Sequence, residues 1–395
     1  MNRSIWVKVF GTILILGTAA ALAWIIARPS VPALNDFDRY VFVPSRGAPE
    51  VTVIDSRTDK IVATIGLNAV AGQVVVSPAV GKLVATDPRN KTLSIVDLET
   101  RETELVIPLD VTPDVMQMSP DGYLLAVGDV SAGAVSIISL QQRRQLSRVD
   151  GLSKPYNLRF NVDGSMIYVA NLGADHVSVI DIVQGKVIEE IAAAKPAPST
   201  GAVVSGAQDA RGITNMTGTP NGRFGFATFR DRDQLAVLDL QERKAIKSLP
   251  LGKRPWRAYA TADGRYMLVP NNGDRTVSVI ATDSLEVVAT LPGAADVTAV
   301  NTGWFDSVAF VISSGENKAV VLDLMKLTHA GEIPLPRTPG PGVVTPDGKK
   351  LYVELSGSNK VAVIDTRSRK LITMIDDVGT QPWGATMGRS NNYCH

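Results

Sequence analysis

The chain has 395 residues, 45% of them apolar and 20% charged, enough for one large repeat domain or two to three ordinary ones. A formal net charge of +1 excludes the broad basic field that a general nucleic-acid binder needs. A single cysteine, Cys394, excludes an intrachain disulfide, and three histidines, His176, His329 and His395, leave little room for a histidine-rich metal centre.

The first predicted element is apolar. Residues 9–27, VFGTILILGTAAALAWIIA, carry no charge and as a helix would span about 28 Å, close to the thickness of a bilayer's hydrocarbon core. Arg3 and Lys8 precede the run, which predicts that the rest of the chain is exported. Two readings stand. Residues 1–28 form an uncleaved anchor, with Trp24 at the interface, or a signal peptide cut after Ala21-Leu22-Ala23. Both place the remainder on the periplasmic side of a bacterial-type inner membrane, joined through a linker at residues 29–37.

From residue 38 onward one short pattern recurs eight times, closing at Asp55, Asp97, Ser139, Asp181, Asp239, Ala281, Asp323 and Asp365. Six of the seven intervals are 42 residues and the other is 58. Each unit reads as four short strands separated by Gly, Asn and Asp turns. In one unit these are Trp256–Thr261, Tyr266–Pro270, Thr276–Ile280 and Val287–Leu291. Four strands in 40–45 residues is the arithmetic of a propeller blade. The first unit, starting at Asp38, lacks an inner strand, whereas Gln381–Met387 is a surplus one after the last unit. The expected fold is therefore all-β. It is an eight-bladed propeller over residues 38–387, with four-stranded antiparallel blades, the C-terminal strand completing blade 1, and a tail at 388–395.

The segments SPDGYLLAV (119–127), MIYVANLGADHVSVID (166–181) and TPDGKKLYVELSGSNKVAVID (345–365) resemble YVTN-type β-propeller repeats over residues 38–387. Within that group, eight blades are similar to the cytochrome d1-type propellers of nitrite reductases and their haem-maturation relatives. That resemblance implies a haem-type tetrapyrrole held by a histidine on an early blade. The corresponding inner strands here, Gln73-Val-Val-Val and Val115-Met-Gln-Met, contain no histidine, which argues against nitrite reduction.

In a propeller, the loops leading into the inner strands and those between second and third strands share the face around the channel mouth, the default ligand site. Alternation along the inner strands divides their residues. Val74, Met116, Leu158, Met216, Ala258, Val300 and Ala385 are expected to pack between blades. Gln73, Gln117, Asn157, Arg159, Asn215, Thr217, Arg257, Tyr259, Asn301 and Thr386 are expected to line a wet channel. Tyr156, Trp256 and Trp383 each follow a proline at the mouth, with Lys154, Arg159, Arg211, Lys253, Arg254 and Arg257 nearby and Asp114, Asp296, Asp376 and Asp377 elsewhere on the rim. Arginine beside an aromatic plane suits a small anionic ligand, such as a carboxylate-bearing ring, or an acidic protein partner. His176 falls in a mouth-face turn, and the sixteen extra residues within 192–209 form a candidate binding loop. Cys394 and His395 resemble half of a c-type haem signature, or could hold copper with Met387. No cofactor is required by the sequence. The Asp residues closing the repeats are expected to cap turns, and no nucleotide or hydrolase motif is present.

Overall fold

The computed structural model describes residues 33–194 and 211–389. It contains seven four-stranded antiparallel sheets and one three-stranded sheet, each built from strands consecutive in the chain. The three-stranded sheet, Tyr40–Pro44, Glu50–Asp55 and Lys60–Gly66, is blade 1. Its missing inner strand comes from the other end of the chain. Phe42 N–H donates to Thr386 O at 2.8 Å, Thr386 N–H returns the bond at 2.9 Å, and Trp383 N–H donates to Pro44 O at 3.1 Å. The ring of eight blades is closed. Among the described residues no helix is long and apolar enough to cross a membrane, and residues 9–27 lie outside them.

The 42-residue repeat appears as one recurring hairpin. The fourth strand of every blade carries a bulge, one extra residue such as Val62, Glu104 or Ile372 lying opposite the step Val53/Ile54, Ile95/Val96 and so on to Val363/Ile364 of the third strand. Four residues after each closing position the backbone turns left-handed, at Asp59, Arg101, Arg143, Gly185, Arg243, Leu285, Leu327 and Arg369. The closing aspartates serve these turns: Asp97 Oδ1 accepts from Glu99 and Thr100 N–H, and Asp239 Oδ1 from Gln241 and Glu242 N–H. They are caps, as expected.

Middle strands are buried on both faces because each blade is covered by its two neighbours, so Val, Ile, Leu and Ala run almost without interruption. The apolar clusters lie between adjacent blades, as where Val277 and Val279 of blade 6 meet Val300, Val311 and Leu322 of blade 7. The fourth strands alternate exposed and buried residues, since one face meets solvent.

Candidate functional site: the channel mouth

The inner strands leave a cavity of about 860 Å³ on the axis, and all eight blades contribute to its wall. Gln73 comes from blade 2, Met116 from blade 3, Tyr156 from blade 4, Asp296 from blade 7 and Pro341 from blade 8. Blade 1 supplies Arg46 and Trp383, blade 5 Arg230, and blade 6 Trp256 and Arg257. The three proline-linked aromatics thus share one wall, with the arginines on blades 1, 5 and 6 and the carboxylate of Asp296 on blade 7.

The arginines are mounted on the tryptophans. The Arg46 guanidinium carbon is 4.4 Å from the centroid of Trp383, and those of Arg230 and Arg257 are 5.2 and 5.5 Å from Trp256. Among the described residues, the side chains of Arg46 and Arg257 make no hydrogen bond or ion pair, and the Nε of Arg257 is buried without an acceptor. Burial pulls the Arg46 pKa below its ordinary value, opposed by the charge of Glu354. A guanidinium taken out of water without a carboxylate partner is costly, and an anion in the cavity would offset that cost.

Glu354 is fully buried at the end of the second strand of blade 8. Its Oε2 accepts from Gly342 N–H at 2.8 Å and its Oε1 from Ala385 N–H. One carboxyl therefore ties the inner edge of blade 8 to the closing strand that carries Trp383. Burial pushes its pKa up.

Of the residues expected to form the site, Tyr156, Trp256, Arg257 and Trp383 line the cavity. Asn157 and Asn215 instead fasten blades together: Asn157 Oδ1 accepts from Met216 N–H at 3.0 Å and Asn215 Oδ1 from Ala258 N–H at 3.1 Å. Tyr259 is buried in the apolar layer between blades 6 and 7 and donates to Thr298 O at 3.4 Å. Arg159 packs over Gly218, where an added Cβ would lie 2.8 Å from its Nε. His176 sits beside Glu190, 3.4 Å away, outside the cavity wall, and Arg211 is exposed beyond it. Of the apolar set, Ala385 and Met116 pack in the clusters between blades, and both, with the buried Val74, also edge the cavity. Cys394, His395 and the loop at 195–210 lie outside the described residues. No group of three metal-ligating side chains occurs among those described.

Arg46 and Arg230 were not expected. Their signal is in the register, nine residues before Asp55 and Asp239, where the other six blades carry Pro88, Val130, Leu172, Asn272, Ser314 and Ser356. In a ring of eight, blades 1 and 5 face each other across the channel.

A family model described as YNCE-like beta-propeller matches residues 67–389. The chain belongs to this family. Its relative in Mycobacterium tuberculosis, the seven-bladed beta-propeller protein Rv1057, is 33% identical over 138 residues, 33% of this chain and 35% of that protein. The chain thus matches only about a third of that relative's length, and it has eight blades where the relative's name gives seven. Among solved structures, the dihydro-heme d1 dehydrogenase NirN in complex with DHE aligns with a TM-score of 0.72 at 16% identity, covering 91% of this chain and 77% of that one. Apo AztD from Citrobacter koseri aligns with a TM-score of 0.62 at 14% identity, covering 88% and 96%. At such identities these two share the fold.

Proposed function

We propose that this YNCE-like propeller is an exported, membrane-tethered binding protein that takes a flat anionic ligand at its channel mouth. Its setting is accessory work in a periplasmic redox or cofactor-maturation system. The reading rests chiefly on Arg46 and Arg257, two guanidinium groups that make no ion pair among the described residues, each set on a tryptophan face in one cavity wall. Stacking and charge together select a planar, negatively charged body.

The test uses the full chain and pyrene-1,3,6,8-tetrasulfonate, with neutral 1-pyrenemethanol as control, followed by fluorescence anisotropy. The sulfonate binds and the alcohol does not, and Arg257→Ala or Arg46→Ala weakens binding roughly ten- to a hundredfold, the scale of a lost charge-assisted hydrogen bond. Equal affinity of both probes, or of wild type and both variants, would sink the reading.

A tetrapyrrole is a second ligand class, favoured by the structural likeness to the dihydro-heme d1 dehydrogenase. The wall fits the carboxylates and plane of a macrocycle. It does not fit an imidazole-ligated iron, because its described residues include no histidine or cysteine and only Met116 and Tyr156 offer a sulfur or phenol.

A further inference from the structure

On the face opposite the cavity, six blades turn from first to second strand through a glycine with positive φ: Gly81, Gly122, Gly164, Gly222, Gly264 and Gly348. Blade 7 does this without glycine. At the same register stand Trp304, Phe305 and Asp306, with φ of 45°, 57° and 53°. Three successive L-residues in the left-handed region are unfavourable and persist only where the surroundings enforce them.

Here both neighbouring blades do so. Trp304 N–H donates to Gly348 O of blade 8 at 2.7 Å, and Asp306 Oδ2 accepts from Asp263 N–H of blade 6 at 2.8 Å. Asp306 Oδ1 accepts from Thr302 Oγ1 at 2.6 Å. The product of this bracing is an aromatic tip in solvent, with Phe305 76% exposed. Met325, 65% exposed, comes from the other turn of the same blade, with the Arg265 guanidinium 3.8 Å from its sulfur. Arg367 lies 4.9 Å over the Trp304 ring. Neither Arg367 nor Lys326 makes an ion pair among the described residues. An aromatic and a thioether tip beside Arg367 and Lys326, with Arg265 paired to Asp263, match an anionic phospholipid headgroup layer.

Chain direction supplies the second observation. The chain reaches the second strand of blade 1 from this same face, where Asp36 pairs with Arg57 at 3.1 Å and Arg39 with Asp55 at 2.6 Å. A tether of residues 28–37, about 36 Å at most when fully extended, would join the propeller on this face if residues 9–27 span a bilayer. Blade 7 is two blades from blade 1.

We infer that the Trp304–Phe305 turn, with Met325, Arg367 and Lys326, docks on the phospholipid surface and points the channel mouth away from the bilayer. This rests on the anchor reading of residues 9–27. The full-length chain carrying Cys394→Ser is spin-labelled at Phe305→Cys, at Met325→Cys, or on the mouth face at Lys360→Cys. It is then reconstituted in vesicles of three parts phosphatidylcholine to one part phosphatidylglycerol. The ratio of oxygen to nickel-chelate collision rates rises several-fold at Phe305→Cys and Met325→Cys on passing from detergent to vesicles, and stays constant at Lys360→Cys. Floating vesicles with equal ratios at all three sites overturn the docking alone. Protein that does not float with the vesicles overturns the anchor and the docking together.

Discussion

Glu354 is a fully buried carboxyl whose two oxygens each receive a backbone N–H, so neither the amide nor the hydrocarbon of a replacement can serve both donors. Glu354→Gln leaves one N–H facing an amide NH2 and should cost about 1–3 kcal/mol of unfolding free energy, measured by denaturant titration. The sign with pH follows from burial. The folded carboxyl holds its proton to higher pH than the unfolded one, which ionises near 4.3. The folded state therefore binds more protons across that window, and wild-type stability falls as pH rises from about 4.3 through the folded pKa. Glu354→Gln lacks this slope, and the difference between the two proteins narrows with rising pH. A variant with an unchanged slope would show that another group titrates. The sequence marked this position poorly: a glutamate in a strand has the same letters whether its partner is water or two peptide groups. Asn157 and Asn215 misled for the same reason. Near the axis, adjacent inner strands come close enough for polar side chains to bond a neighbouring blade's backbone, and alternation alone cannot tell that from a wet channel.

At the scale of the strand, the closing segment is the informative element. It is held by the paired bonds of Phe42 and Thr386, by Trp383 N–H on Pro44 O, and by Glu354. A chain ending at residue 379 exposes the edge of Tyr40–Pro44 and opens the seam. Such a chain should elute as aggregate or melt without a single cooperative transition, and a peptide of residues 378–389 should restore both behaviours by strand addition. Rescue by a peptide carrying Thr386→Pro, which cannot return the bond to Phe42, would contradict this account. The strands and their closure were legible because the hairpin repeats every 42 residues and the first and last units were each incomplete in complementary ways. The Trp304–Phe305–Asp306 turn was not legible, since nothing local in those residues favours a left-handed backbone; blades 6 and 8 impose it.

At the scale of the whole molecule, the two readings of residues 1–28 differ in where the protein is recovered. With residues 1–28 uncleaved, the protein should sediment with inner membranes, resist carbonate extraction, and be digested by protease added to spheroplasts but not to intact cells. Release into the periplasmic fraction would instead favour cleavage after Ala23. The composition that excluded a broad basic field also agrees with a cavity whose lining cations are three arginines on blades 1, 5 and 6, opposed by Asp296 on blade 7.

Because blade 1 borrows its inner strand from residues 382–386, it stays incomplete until those residues have been made. The other seven blades can assemble first, but the seam waits. A fragment stalled before residue 382 would thus be a crescent with one raw edge, unable to present Trp383 to Arg46.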